Sequence, residues 1–154
     1  MKRGISFELP NESGFFLADI LKPIDMTAFS WRLGIGESYK VGNNEFSENL
    51  YLEDEKMMEG KLLKKLLENN SYYVIFADLQ AHLKGKVTEI NTYEEFTKSE
   101  CELVLLVVDS CYATVYCKNK DMLELLYENA QNCGFENIEY ITVENDGRTR
   151  LSVW

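Results

Sequence analysis

The sequence predicts an α+β domain: a mixed, largely antiparallel sheet with about three helices packed on it, ending in a C-terminal β-hairpin. Three observations carry this. Ile5, Phe7 and Leu9 alternate with Ser6 and Glu8, the period of a half-buried strand. The stretches around Leu63 and Leu126 instead repeat apolar residues every three or four positions, the period of a helix. Hairpin signals crowd the C-terminal half, and no repeat or low-complexity linker interrupts the chain. At 154 residues the chain reads as one domain over residues 1–154. It is long enough to bury about two-thirds of its surface without a metal or disulfide staple.

The elements follow in order. A first strand runs from Lys2 to Leu9 and stops at Pro10. Asn11 caps a helix with Phe16, Leu17, Ile20 and Leu21 on one stripe, stopped by Pro23. Phe29 to Val41 is aromatic and β-branched but broken by Gly34 and Gly36, which suggests a bulge or a hairpin bend within a sheet. Asn43 to Glu55, polar and acidic, reads as a loop. Asp54 is the expected N-cap of a second helix carrying Met58, Leu62, Leu63, Leu66 and Leu67, with Lys61, Lys64 and Lys65 on its other face. A strand over Tyr72 to Leu79 follows. Thr92-x-x-Glu95 is a capping box that starts a short helix to Lys98.

Leu103 to Val108 is a continuous apolar run, the mark of a strand covered on both faces. Tyr112 to Cys117 is its neighbour. The third long helix is capped by Asn119 or Asp121, buries Met122, Leu123, Leu126, Ala130 and Cys133, and ends at Gly134 in the left-handed C′ position. Its connection to a strand over Ile138 to Glu144 is long enough for a parallel crossover. The chain then closes with a hairpin. A three-residue loop, Asn145-Asp146-Gly147 with Gly147 at positive φ, places Ile141 opposite Leu151 and Val143 opposite Thr149. A two-residue Asp146-Gly147 turn would mix apolar and polar side chains, so burial favours the longer loop, a buried Leu151 and an exposed Arg150.

Charge narrows the function. Acidic side chains number 26 against 16 basic ones, a formal net charge of −10, and only four arginines are present. Nucleic-acid affinity rests on Lys and Arg displacing counterions, so this balance argues against a nucleic-acid ligand and against adsorption to an anionic membrane. The longest apolar run falls far short of a membrane span. With no secretion signal read in the first residues, the expected compartment is the cytoplasm, where Cys101, Cys111, Cys117 and Cys133 serve as structural thiols.

No catalytic constellation is found, and no cofactor or metal is expected. The four cysteines form no C-x-x-C pair, and a zinc site would need His82, the one histidine, plus three scattered thiols. Gly34-Ile35-Gly36 lacks the third glycine of a dinucleotide loop, since position 39 is tyrosine. A thiol nucleophile at Cys111 would need His82 as its base, and nothing in the sequence brings the two together.

The segment from Glu45 to Glu55 draws attention. Glu45, Glu48, Glu53, Asp54 and Glu55 are interleaved with Phe46 and Tyr51, without a basic residue among them. Solvated loops have this character, and so does an acidic, aromatic face for a basic protein, since aromatic residues anchor interfaces. The sequence therefore suggests a non-enzymatic, acidic protein-binding module of the immunity or regulator type with a basic protein partner. The alternative is a small-molecule binding domain or weak enzyme, with an aromatic pocket between sheet and helices drawn from Trp31, Tyr39, Tyr73 or Tyr112. A self-associating module using a sheet edge is a third.

Three segments carry a family resemblance: GISFELPNE from Gly4, ELVLLVVDS from Glu102, and NIEYIT with RTRLSVW ending at Trp154. Together they resemble an uncharacterised family, a domain of unknown function, of short cytosolic proteins from Bacillus-type Gram-positive bacteria. The resemblance spans essentially the whole chain, but its motifs are strands and turns. It implies a bacterial cytoplasmic protein and transfers no active site.

Overall fold

The structure is a computed structural model that describes residues 1–52 and 54–153. In chain order its elements are β1 (Lys2–Glu8), α1 (Phe16–Ile20), a 3-10 turn (Met26–Ala28), β2 (Phe29–Leu33), β3 (Glu37–Gly42), β4 (Glu45–Asn49) and β5 (Met57–Glu59). Then come α2 (Gly60–Asn69), β6 (Tyr72–Leu83), α3 (Tyr93–Lys98), β7 (Cys101–Val108), β8 (Tyr112–Cys117), α4 (Lys120–Asn132) and β9 (Glu136–Thr142). The architecture is α+β, as the alternating periods predict, with four helices rather than three, two of them long.

The strands form one sheet in the order β4-β3-β6-β7-β8-β1-β9. The long strand β6 carries β7 on one edge; on the other it pairs with β3 through its first half and β2 through its second, and β5 extends β2. Each neighbouring pair among the described residues is antiparallel. The expected mixed character survives only as a crossover: β8 and β9 both run antiparallel to β1, so they are parallel to each other with β1 between them. That is a split β-α-β unit closed by α4.

Burial divides the sheet into two faces. Ile5, Phe7, Trp31, Leu79, Leu105 and Val115 meet Leu17 of α1, Leu63 and Leu67 of α2, and Leu123 and Leu126 of α4. The opposite face packs Cys101, Val104, Leu106 and Tyr116 against Phe96 of α3 and Leu151 of the C-terminal segment. The run from Leu103 to Val107 is thus buried on both faces, as its continuous apolarity requires.

Local chemistry explains the ends of the helices. Thr92 Oγ1 accepts from the Glu95 amide at 3.2 Å, and Glu95 reaches back to the Asn91 amide, so the box works with its return bond one residue early. Asn119, not Asp121, caps α4 by accepting from the Met122 amide at 2.9 Å. Gly134 has φ +78° and ends that helix, and Phe135 stacks on Phe7 with ring centroids 5.2 Å apart.

Several expectations are corrected. The first helix does not start at Asn11: α1 has five residues, begins after Phe15 and has no side-chain cap. Asp54 is not the N-cap of α2, which starts at Gly60 because Met57–Glu59 pairs with β2 before the helix begins. Leu62 lies on the exposed side of α2. The proposed loop from Asn43 to Glu55 contains β4, joined to β3 by a two-residue turn in which Asn43 and Asn44 both have positive φ, the type I′ geometry that matches strand twist.

The C-terminal hairpin is absent. After β9 the chain turns through Asn145, whose side chain accepts from the Thr142 amide and donates to the Tyr140 carbonyl. Residues 146–153 make no strand. Gly147 is not at positive φ, and open space surrounds it. Asp146 is an anchor instead of a turn residue: Oδ2 accepts from Arg3 Nη1 at 3.1 Å, while Oδ1 accepts from the Tyr116 hydroxyl at 3.0 Å and the Arg148 amide at 3.1 Å. The Leu151 amide then bonds the Asn91 carbonyl at 2.8 Å, and its side chain is 2% exposed. Leu151 is buried as expected, but against the second sheet face rather than across a hairpin.

Candidate functional site

A bulge in β6 creates the most unusual environment of the fold. Phe76 pairs with Glu37 but Val74 pairs with Ser38, so Ile75 is an extra residue. Before the bulge Tyr72 and Val74 face the main core; after it Ala77, Leu79 and Ala81 do. An inserted residue inverts the alternation, and this inversion sends Asp78, Gln80 and His82 to the second face. There they are buried, Asp78 being 5% exposed. The same place is where β6 exchanges β3 for β2. Gly34 and Gly36 make the bend between those strands because a Cβ at Gly34 would stand 2.5 Å from Asp78 Oδ2, and one at Gly36 would stand 2.6 Å from the Phe76 carbonyl oxygen. The glycine pair is a sheet bend, as the sequence suggests.

Few partners satisfy this polar row. His82 Nε2 lies 3.1 Å from Gln80 Oε1, while His82 Nδ1, Gln80 Nε2 and Asp78 Oδ1 have no hydrogen-bond partner among the described residues. Burial pushes the Asp78 carboxyl up to about 6, against the pull of Arg32 on β2 and Arg148 on the C-terminal segment. Burial, with Arg32 and Lys118 adding to it, pushes His82 down to about 4.

The two shifts have opposite consequences for stability. A raised carboxyl binds its proton more tightly in the native state, so Asp78 adds stability as pH falls from about 6 to about 4. A depressed imidazole leaves the unfolded chain to bind the proton first, so His82 removes stability over nearly the same interval. Each effect is on the order of 2–3 kcal/mol, and they largely cancel. Asp78→Asn should therefore be more stable than the parent near neutrality and lose stability more steeply in acid, the curves converging near pH 4. Urea midpoints across that range measure it. A variant less stable at neutral pH would show that the ionised carboxylate holds the fold through Arg32 and Arg148.

Beside this row lies a cleft of 340 Å³ formed by the bend at Gly34–Gly36, the start of β3 and residues 49–55. Glu37, Ser38, Tyr39, Tyr51 and Glu55 line it. The Tyr39 hydroxyl donates to Glu37 Oε2 at 2.7 Å. Burial and the neighbouring Asp78 charge push the Tyr51 phenol up to about 12.

The acidic segment singled out by the sequence divides between two surfaces. Glu45, Phe46 and Glu48 lie on β4, the outermost strand of its end of the sheet, and all are exposed. Phe46, 56% exposed, stacks between Tyr39 and Tyr73 at 5.4 and 5.3 Å. Lys40 Nζ sits 3.2 Å from Glu48 Oε1, so the tertiary structure supplies the basic residue that the segment lacks. Tyr51 and Glu55 turn toward the cleft, Asp54 is exposed in the following turn, and Glu53 lies outside the described residues. Of the four aromatic residues proposed for a pocket, only Tyr39 lines this cleft. Trp31 is fully buried in the core with its indole N–H on the Met26 carbonyl, Tyr73 stacks on Phe46, and Tyr112 is exposed at a strand end. Asp78 and His82 were not anticipated as a pair, although Asp78-x-Gln80-x-His82 has the alternation that would have extended the strand beyond Leu79.

The thiols do not form a nucleophilic site. His82 is the register partner of Cys101, not of Cys111, which lies at the far end of β7. Burial pushes the Cys101 thiol up to about 12 and Cys117 up to about 11, so both stay protonated. The expectation of four buried thiols fails at two positions: Cys111 is partly exposed, and Cys133, which caps α4, is exposed. A maleimide should label Cys133 and Cys111 in the native protein, and Cys101 and Cys117 only after unfolding. Mass spectrometry of labelled peptides checks this, and native labelling of Cys101 would contradict the burial described. Among the described residues no group of three or more His, Cys, Asp or Glu side chains is placed to hold a metal ion, and no helix is long and apolar enough to cross a membrane.

An antiparallel sheet clad on one face by three helices, with a split β-α-β unit, defines an α+β domain whose distinctive chemistry is the buried polar row and its adjoining cleft. The chain belongs to the family described as protein of unknown function (DUF2691), whose model matches residues 2–152. It is 46% identical over 154 residues to the uncharacterised protein YncE of Bacillus subtilis (strain 168), covering 99% of this chain and all of the relative. No solved structure matches.

Proposed function

We propose that this protein is a non-enzymatic binding module that takes an extended, basic segment of a partner protein along the outer edge of β4. The observation that supports the reading is the character of that edge. β4 ends one side of the sheet with all five residues exposed, and it carries Glu45 and Glu48 around the exposed ring of Phe46. An edge strand offers unpaired backbone groups, and a peptide adding to it gains main-chain hydrogen bonds while alternate side chains supply specificity. Acidic residues on the edge repel a second copy of the same strand and favour lysine or arginine. The net charge of −10 would accelerate the encounter and make it salt-sensitive.

A fluorescent peptide alternating lysine with valine or threonine tests this by anisotropy against an isomeric glutamate peptide. The lysine peptide should bind, its affinity should fall with added salt, and Glu45→Gln with Glu48→Gln should slow association. Those changes should move stability by no more than about 0.5 kcal/mol. Binding that ignores both salt and substitution would leave the acidity a matter of solubility.

A further inference from the structure

We infer that the groove between α2 and the segment 49–55 is the docking face for a second copy of this chain, met about a two-fold axis that runs along the groove. This goes beyond edge-strand recognition and uses side chains of α2 and of that segment, not the backbone edge of β4. The groove has a volume of 340 Å³ and a largely apolar lining in which Leu50, Leu52, Met58, Leu62 and Leu66 take part. Leu52 is 65% exposed and Leu62 60% exposed, so the leucines of both walls stand open to water. An apolar patch of this kind, rimmed by charges, marks an interaction surface.

Charge selects the occupant. A chain with net charge −10 repels its own copies over most of its surface. At the groove both signs are present, sorted by wall. On α2, residues four apart form parallel rows: Leu63 and Leu67 in the core, Leu62 and Leu66 in the groove, and Lys61 and Lys65 exposed beside them. The facing segment carries Asp54, which is exposed, and Glu55, which lines the groove. None of these four charges has an ion-pair partner among the described residues. The two-fold rotation sets the lysine row of each copy against the acidic wall of the other and brings Leu62 toward Leu52 of its mate. An isologous interface requires this self-complementarity. A segment of one sign, acidic or basic, would be attracted by one wall and repelled by the other.

Sedimentation velocity of the full chain at low salt, from about 1 to 500 μM, covers the range in which a modest interface associates. The protein should pass from monomer to dimer. Leu62→Asp, at an exposed position, should weaken the dimer at least about tenfold while circular dichroism stays unchanged. Lys61→Glu with Lys65→Glu, and separately Asp54→Lys with Glu55→Lys, should each give a monomer where the parent is dimeric. Mixed in equal amounts, these two variants should form a dimer, because every row then faces a wall of the opposite sign. Mixing cannot repair a folding defect, so this arm decides the matter even where one substitution perturbs the fold. A monomer throughout the range, which would leave the groove to a partner of other chemistry, overturns the proposal. So does a dimer indifferent to Leu62→Asp, or a mixture no more associated than its components.

Discussion

Gly60→Ala should destabilise the protein by at least about 3 kcal/mol, more than a crowded core site usually costs, because the methyl group has nowhere to go. Gly60 opens α2 beneath the 3-10 turn, and a Cβ there would stand 1.7 Å from the Met26 carbonyl oxygen and 2.9 Å from that of Phe29. Both obstacles are backbone, so no rotamer relieves them. Gly147→Ala, in open space and without a positive φ, should stay within about 0.5 kcal/mol. From the sequence the ranking is the reverse: a helix-interior glycine gains from alanine and a hairpin glycine loses. Urea unfolding of the two variants decides between them. A neutral Gly60→Ala would mean that the 3-10 turn does not lie over the start of α2.

The second large effect belongs to Leu151. Its truncation to alanine should cost roughly 2–5 kcal/mol, since it fills the space between α3 and the second sheet face, whereas Arg150→Ala should cost little. A hairpin with a three-residue loop would give the same ranking at these two positions, so a further substitution is needed to separate the two structures. Asp146→Ala should cost on the order of 2 kcal/mol, because it removes the acceptor for Arg3, Tyr116 and the Arg148 amide at a side chain only 4% exposed. In a hairpin Asp146 would be a solvated turn residue and its loss nearly neutral. Chemical denaturation of the Asp146 variant therefore reports how the chain end is held.

Much of the candidate site was out of reach because it depends on pairing between distant strands. The sequence drew Glu45, Phe46 and Glu48 into one patch, and they lie within four residues of one another on a single strand. It grouped them with Tyr51 and Glu55, which the chain turns into the cleft. It missed Asp78 altogether. A lone aspartate in an apolar strand says nothing until the register with β3 shows that Ile75 is inserted, and one inserted residue decides which face every later side chain meets.

What the sequence determined by itself are the features written in local physics. The α+β class, the doubly buried run of β7, the capping of α3 by Thr92, a cap for α4 at Asn119 or Asp121, and the left-handed Gly134 all follow from periodicity and from backbone groups that must be satisfied within a few residues. Tertiary structure alone decided the rest. It split the stretch after Phe29 into β2 and β3 on one edge of β6, turned a polar loop into β4, and set the cleft beside a buried carboxylate. It also led the last eight described residues across the second face instead of back along β9. The reason is the same in each case: the hydrogen bonds and buried contacts that choose between these outcomes join residues tens of positions apart, and Asp146 prefers Arg3 and Tyr116 to any partner its neighbours offer.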